Sequence, residues 1–217
     1  MADTYNNKIK KVDINTKAIA PFAFGTPLSH PRGAIVVNSD IYFADYGNHC
    51  VRKIDSNGAI SDVVGICGNG GYSSDGTPKN ITQLYYPSGV AVASNGDMFI
   101  ADSGNHVIRK VSSGRIRTIA GIVGQAKVSS NNVLALDAHL YEPTDLTIAP
   151  NGQLYISDHG NHCIRKIDEN NNIQAVAGQC GNSGFSGDDG LARNAQLYHP
   201  RGLTVTRAGG LLIADSG

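Results

Sequence analysis

Histidines that recur with the same neighbours are the first residues in this sequence that could do chemistry. They follow Gly-Asn in three copies of one motif, as His49, His106 and His162. Three histidines from separate segments are a common zinc ligand set. However, each occupies the same place in its copy, and a residue that every copy carries serves the repeat itself. We therefore predict that they hydrogen-bond neighbouring turns, away from any central axis, and bind no metal.

An aspartate and an arginine recur beside each histidine. The aspartates and arginines are Asp45, Asp102, Asp158 and Arg52, Arg109, Arg165. We interpret the aspartates as turn and capping residues, since their carboxylates can accept hydrogen bonds from nearby backbone. The arginines are expected to face the surface from strands that alternate polar and apolar residues.

Four cysteines form a second pattern. Cys50 and Cys67 are seventeen residues apart, and so are Cys163 and Cys180, while the middle copy holds valine at both positions. Cysteines that are present or absent together predict two disulfides, Cys50–Cys67 and Cys163–Cys180, with four buried free thiols as the alternative. The two pairs lie in different copies, too far apart for a Cys₄ zinc site.

Disulfides imply an oxidising compartment, so we expect an extracellular protein or the ectodomain of a membrane protein. The sequon Asn80-Ile81-Thr82 agrees with this and predicts glycosylation of Asn80. The N-terminal segment lacks the apolar core of a signal peptide, and no apolar run is long enough to span a bilayer.

The elements that position these residues follow from the repeat. Its aspartate falls at positions 3, 45, 102, 158 and 215, so the spacings are 42, 57, 56 and 57. Within one copy, segments 90–93, 98–101, 106–111 and 115–120 are short apolar or alternating runs separated by turn residues such as Asn95-Gly96. Four short strands per copy predict an all-β chain of four-stranded antiparallel blades, a β-propeller. A β-solenoid or a sandwich is the alternative.

The repeated motif resembles a known family. Asn-His followed by Ile-Arg-Lys-Ile/Val, behind Tyr/Phe-Ile-Ala-Asp and Pro-x-Gly-Val-Ala-Val, is similar to the NHL repeat, with Cys50, Val107 and Cys163 in place of the Leu. The resemblance covers essentially the whole chain and implies a β-propeller, commonly of six blades.

A single propeller domain is therefore expected over residues 1–217. The predicted blade units are approximately 1–28, 29–84, 85–140, 141–197 and 198–217, about four blades' worth. The chain begins and ends at the same phase of the repeat, so closure into a four-bladed ring is one arrangement. The arrangement we expect is a fragment of a longer, six-bladed propeller.

Two long segments rich in Gly and Asp, 65–76 and 178–190, follow the fourth strand of their copies. Their composition predicts ordered turns, with Tyr72 and Phe185 anchored against the body. Such loops resemble those of extracellular and bacterial NHL proteins more than those of the RNA-binding, ubiquitin-ligase-linked ones.

Residues that differ between copies are better functional candidates than the repeated ones. In propellers the loop that leads into the innermost strand faces the central channel, and here each such loop contains a proline. The residues beside these prolines are the predicted ligand-binding set at the channel mouth: His30, Arg32, Ser88, Thr144, His199 and Arg201. Its arginines and histidines make the mouth mildly basic, which suits a carboxylate, a phosphate or an acidic peptide. Ordinary solvated loops are the alternative.

The same prolines bear on an enzymatic interpretation. The peptide-amidating lyases, zinc enzymes with an NHL-like propeller, place zinc-binding histidines directly after this proline. Here those places hold Arg32, Ser88, Thr144 and Arg201, so that ligand pattern is missing.

The overall charge gives no support to nucleic-acid binding, because the 217 residues include 18 basic and 18 acidic ones. We predict a binding or scaffold module for a protein or a glycan, with no catalysis, no cofactor and no metal. The alternatives are a propeller enzyme of the amidating-lyase or lactonase type with an axial metal, and an RNA-binding NHL propeller.

Overall fold

The computed structural model describes residues 1–22 and 26–217. These residues form short antiparallel strands joined by turns, and the helical segments among them are all single 3₁₀ turns. The predicted first unit, 1–28, includes residues 23–25, which lie outside the described residues. The division of the chain into blade units stays a prediction.

Three sheets have four consecutive antiparallel strands each, and the third carries one extra strand at its outer edge. The first is β4 (Pro31–Val37), β5 (Asp40–Asp45), β6 (Cys50–Ile54) and β7 (Ile60–Val64). The second is β8 (Pro87–Val92), β9 (Met98–Asp102), β10 (Val107–Ser112) and β11 (Arg115–Ala120). The third is β13 (Pro143–Ile148), β14 (Leu154–Asp158), β15 (Cys163–Ile167) and β16 (Asn172–Ala177), with β12 (Val133–Leu134) paired to β16.

Two smaller sheets lie near the ends of the chain. One contains β1 (Ala2–Asp3), β2 (Lys8–Val12) and β3 (Ile19–Pro21), and the other contains β17 (Leu203–Val205) and β18 (Leu211–Ile213). The predicted fold class, an all-β propeller of four-stranded antiparallel blades, is confirmed.

The second strand of each complete blade ends in the same tight turn. A 3₁₀ turn follows the repeated aspartate, and the repeated histidine then adopts a left-handed backbone, with φ of 59° at His49 and His106 and 58° at His162. Histidine is among the residues that tolerate this region better than most. The turn therefore places the aspartate and the histidine at one end of every blade.

The core lies between adjacent blades. Val51 and Val64 of the first blade pack with Val90 and Ile100 of the second, and Ile108 of the second packs with the third. Because both faces of an inner blade are covered by neighbouring blades, its strands contribute buried side chains on both faces.

The segments between blades cover the outermost strands. In the second blade, the Gly76 and Lys79 amides donate to the carbonyls of Ile116 and Gly114, at 2.8 and 2.9 Å. In the third blade, β12 pairs with the outermost strand, β16. These pairings occupy backbone groups that an open edge strand would leave free to bind another chain.

Both predicted disulfides are present. Cys50 and Cys67 have Cα atoms 5.1 Å apart, and Cys163 and Cys180 have Cα atoms 5.0 Å apart. Each bond ties the start of a blade's third strand to the segment that follows its fourth.

The predicted loop anchors differ from each other. Tyr72 stacks on the Arg109 guanidinium, whose central carbon is 4.6 Å from the ring centroid. Phe185 is 87% exposed, so its predicted anchoring is wrong. The backbone of its loop is instead held by pairing between Ser186 and Gln196.

Candidate functional site

The four residues that directly follow the repeated prolines converge on one cavity. Arg32, Ser88, Thr144 and Arg201 come from four successive units of the chain and line a space of about 520 Å³ together with Thr4, Tyr5, Gly33, Asp145 and Gly202. We call this the mouth cavity. The sequence prediction named these four positions, and the structure brings them together.

Close packing of the innermost strands fixes the floor of the mouth cavity. A Cβ on Gly33 would lie 2.5 Å from the Ser88 carbonyl oxygen, and one on Gly89 would lie 2.8 Å from the Asp145 Cα. Gly33 also has a φ of +50°, in the left-handed region that disfavours side chains. Glycine is therefore required at positions 33 and 89.

The two arginines of the mouth cavity form no salt bridge with a described carboxylate. Neither Arg32 nor Arg201 lies within 4.0 Å of an acidic group in the part of the chain that the structure describes. Arg32 is half-buried, and its guanidinium carbon is 3.7 Å from the ring centroid of Tyr46. Arg201 is exposed. Both charges are therefore available to a ligand.

A second cavity, of about 400 Å³, adjoins the first and shares Arg32, Thr144 and Arg201 with it. We call it the aromatic cavity, because three tyrosines and two histidines line it: Tyr46, Tyr85, Tyr86, His106 and His159. The tyrosine rings contact one another, with centroids 4.9 Å apart for Tyr46 and Tyr86. We refer to the two cavities together as the channel-mouth face.

The other two predicted site residues lie beside these cavities and line neither. His30 packs edge-on against Tyr5, with centroids 6.4 Å apart, and its amide donates to Asn7. His199 lies between His159 and His162, at centroid distances of 4.6 and 4.5 Å.

The repeated histidines act as acceptors for the next blade. The Nδ1 atoms of His49, His106 and His162 accept hydrogen bonds from the amides of Tyr86, Glu142 and His199, at 3.1, 3.1 and 3.2 Å. Each of those amides precedes one of the repeated prolines. Burial lowers the pKa of all three histidines, which keeps the accepting nitrogen unprotonated at neutral pH. Each therefore bonds the neighbouring turn, as predicted.

The repeated aspartates are fully buried and hold the same loops from the other side. The carboxylates of Asp45, Asp102 and Asp158 accept the amides of Ser29, Tyr85 and Tyr141 at 2.7 to 2.8 Å. Each also accepts the side-chain amide of the asparagine three residues later. Burial raises the pKa of Asp102 to about 7 and that of Asp158 to about 6. The hydrogen bonds and the nearby arginines act in the opposite direction and lower the pKa of both carboxyls, but by less. Each aspartate stands at the N-cap position of its 3₁₀ turn, but its side chain makes no capping hydrogen bond there, so the predicted capping role is wrong and the carboxylate holds the earlier loop instead.

The repeated arginines are buried, and the prediction that they face the surface is wrong. Arg109 and Arg165 are 0% exposed and Arg52 is 4% exposed. Arg52 donates to Asp45 at 2.8 Å, and Arg165 lies 3.5 Å from Asp158. The prediction failed because alternation marks two faces of a strand, and in a propeller a neighbouring blade covers both.

Asp145 is a site residue that the sequence prediction missed. It replaces the glycine found at the matching positions 33, 89 and 202, and it lines both the mouth cavity and a deeper cavity of about 360 Å³. One carboxylate oxygen accepts the Leu203 amide at 2.9 Å. Burial raises its pKa to about 6, although the hydrogen bonds from the amides of Leu203 and Leu146 lower it. The available signal was its departure from Pro-x-Gly.

Tyr46 and His159 were missed for a related reason. They occupy the first position of the 3₁₀ turn, where the second blade has Ser103. Ser103 and His159 donate to the carbonyls of the prolines in the next unit, Pro143 and Pro200. Tyr46 instead packs on Arg32. Comparing this turn between copies would have revealed the difference.

Among the described residues, no group of side chains with metal-ligand spacing lies at the channel mouth. Across residues 1–22 and 26–217, one group of three acidic, histidine or cysteine side chains has ligand atoms within 4.8 Å of one another: Cys50, Asp62 and Cys67. Both of its cysteines are in a disulfide. The predicted glycosylation residue, Asn80, lies in an exposed turn of the segment between the first and second blades.

The sequence matches the NHL repeat family over residues 84–110 and 140–167. The chain contains NHL repeats. It is 26% identical over its whole length to Protein SUPPRESSOR OF QUENCHING 1, chloroplastic, of Arabidopsis thaliana, and 31% identical over 88% of its length to human Teneurin-4. It spans 23% and 8% of the lengths of those two proteins.

Solved structures agree with this NHL fold. The Streptogramin B lyase structure superposes with a TM-score of 0.60 at 19% identity, over 98% of this chain and 56% of the lyase chain. At that identity the likeness shows the fold alone. Among the described residues, no helix is long and apolar enough to cross a membrane.

Proposed function

We propose that this NHL propeller is a non-catalytic protein-binding module of an oxidising, extracellular environment, and that its channel-mouth face binds an acidic segment of a partner protein. The observation that carries the proposal is the convergence of Arg32 and Arg201 on one cavity. They come from units separated by most of the chain, and neither has a carboxylate partner among the described residues.

The chemistry of the face favours a carboxylate-bearing partner. Guanidinium groups bind carboxylates through paired N–H donors, and such bonds strengthen where the site is partly removed from water. Arg32 is half-buried and held over Tyr46, so it loses little freedom on binding.

The aromatic cavity favours a protein over a simple anion. Tyrosine and arginine dominate the residues that contribute most to protein–protein affinity. Tyr46 and Tyr86 adjoin Arg32 on this face, and copies elsewhere in the chain hold smaller or charged residues at the same positions. The blade does not need these tyrosines, which supports a role in binding.

The oxidising environment is supported by the two disulfides and by the likeness to Teneurin-4. The non-catalytic part of the proposal rests on the residues after the prolines, since Arg32, Ser88, Thr144 and Arg201 stand where the amidating lyases place zinc-binding histidines. In the stretch of chain that the structure describes, the side chains of the channel mouth form no cluster of metal-ligand spacing.

Selection from a random peptide library tests the proposal. The protein, immobilised in oxidised form, is expected to enrich peptides rich in Asp and Glu, with at least one aromatic residue. Soluble poly-glutamate should compete with their binding, and raised salt should weaken it. Enrichment of peptides without acidic residues would contradict the proposal. Tighter binding of poly-uridine RNA than of any selected peptide would favour the RNA-binding alternative instead.

A further inference from the structure

The segment between the first and second blades contains a hydroxyl group that the fold does not use. Thr82 is 0% exposed, and its Oγ1 atom makes no hydrogen bond to any described residue. A buried hydroxyl without a partner costs free energy, because it gives up its bonds to water and gains none. Either something outside the fold requires this hydroxyl, or the position should hold an apolar side chain.

Equivalent positions in the other blades show what the fold itself requires. The glycine after each fourth strand, at 65, 121 and 178, donates its amide to a matching carbonyl, that of Lys79, Ala135 or Ala192, each at 2.9 Å. Three residues further on stand Thr82, Ala138 and Ala195. Two blades therefore fill this position with alanine, and the packing has no need of the hydroxyl.

The requirement comes from the residue two positions earlier. Asn80 is exposed, lies in a turn, and makes no side-chain hydrogen bond within the described chain. A hydroxyl residue two positions after an asparagine is the feature that marks N-glycosylation acceptors. Gln83 follows Thr82, and no proline intervenes. In the other two segments the residues equivalent to Asn80 are Leu136 and Arg193, so neither segment has an acceptor asparagine. Both segments also hold alanine, which has no hydroxyl, at the position of Thr82.

We propose that Thr82 is kept as the recognition residue for an N-linked glycan on Asn80. In this transfer the Asn80 side-chain nitrogen bonds to the anomeric carbon of a lipid-diphosphate-linked oligosaccharide. The bond between that carbon and the diphosphate oxygen breaks, the amide loses one proton, and the lipid diphosphate leaves. Thr82 is recognised before the chain folds and buries it.

The position of Asn80 decides which surface the glycan covers. The Lys79 amide donates to the Gly114 carbonyl, in the hairpin between β10 and β11. In the second blade, Pro87 pairs with Asp102 at one end of the strands, and Ser112 pairs with Arg115 at the other. Asn80 therefore lies beside the outermost strand of the second blade, where the Lys79 carbonyl also accepts the amide of Gly65 from the first blade. Asn80 lines neither cavity of the channel-mouth face, so a glycan there covers the outer edge between the two blades.

Secretion from mammalian cells tests the inference. The chain is expressed behind a secretory leader, and peptide mass spectrometry before and after an amidase that removes N-linked glycans reads Asn80 directly. We expect release of one glycan, with conversion of Asn80 to aspartate. The variant T82S should keep the glycan, and N80Q should lose it.

The matched variant is T82A, which installs the residue found in the other two blades. It should lose the glycan completely. The variant T82V removes the hydroxyl and keeps the shape of the side chain, so, expressed without glycosylation in bacteria, it should melt at the same temperature as wild type or higher. Secreted wild-type protein with unmodified Asn80 would overturn the inference. A lower melting temperature of bacterial T82V would overturn the argument that the hydroxyl is dispensable. Neither result depends on whether the channel-mouth face binds an acidic partner.

Discussion

Two sets of polar residues in this protein differ in burial and in their partners. The repeated set of aspartates and arginines, such as Asp158 and Arg165, is buried. Its members form ion pairs in the first and third blades, and each aspartate accepts a backbone amide from the loop that leads into its own blade. The channel-mouth arginines differ: Arg32 is half-buried, Arg201 is exposed, and neither has an acidic partner among the described residues. The same residue type therefore builds the blade in one region and is available to a ligand in the other. Burial and pairing, more than residue type, distinguish the two roles.

Removing a member of the repeated set should cause the largest loss of stability, so it tests this comparison most strongly. Asp158→Ala leaves Arg165 buried without its carboxylate and the Tyr141 amide without its acceptor. Removing one partner of a buried ion pair costs about 3–5 kcal/mol, so we expect a loss of that size in the free energy of unfolding, measured in urea. Asp158→Asn, which keeps an acceptor for the amide, should lose less. A loss below about 1 kcal/mol for the alanine variant would mean that the repeated set does not hold the blade.

The next largest loss of stability is expected when a disulfide is removed. The middle blade holds Val107 and Val123 where the others hold cysteines, so Cys50→Val with Cys67→Val copies a natural arrangement. Packing should be preserved, and the loss of the cross-link alone should lower the free energy of unfolding by about 3 kcal/mol for a loop of this length. Chemical denaturation of the oxidised wild type and of the variant measures it. Equal stability would show that the bond is not needed in that blade.

Asp145 tests the comparison further, because it is a half-buried channel-mouth residue that also bonds to the fold through the Leu203 amide. Its folded pKa of about 6 lies above the ordinary value of 3.8, so the folded protein binds its proton more tightly than the unfolded chain does. The resulting stability is fully present below pH 4 and is lost as the pH rises through 6.

Asp145→Asn removes this titration while keeping an oxygen to accept the Leu203 amide. We expect the variant to be more stable than wild type at pH 8 by about 2 kcal/mol. This value is smaller than the full free energy of the pKa shift, because the side chain is partly exposed to solvent. The difference in stability should shrink below pH 5. Unfolding in urea across this pH range measures it. A difference that stays constant with pH would contradict the titration.

The repeat, the four-stranded blades and the disulfide pairs could be predicted from sequence, because each depends on local spacing. The hydrogen bonds of the repeated histidines followed from their recurrence. The burial of Arg109 could not be predicted, because a strand's alternation does not say that a second blade covers its polar face. The exposure of Phe185 also depends on how a long loop packs in three dimensions.

The candidate site was predicted only in part, for the same reason. The residues after the prolines were named correctly as neighbours, since the repeat places them at one end of each innermost strand. Tyr46 joins them only because a turn from one strand of its blade packs against Arg32 on another. Asp145 was identifiable in the sequence, but its significance depends on the two cavities that it lines.

The central claim is that the channel-mouth arginines serve binding and the repeated residues serve the fold. The most direct measurement compares the double variant Arg32→Ala/Arg201→Ala with Arg117→Ala/Arg207→Ala, which removes the same charge from exposed positions elsewhere. Calorimetric titration with an acidic peptide selected on the wild-type protein should show at least about a tenfold loss of affinity for the first variant and less than about threefold for the second. Both should unfold within about 0.5 kcal/mol of wild type. Equal affinities of the two variants for that peptide would contradict the account.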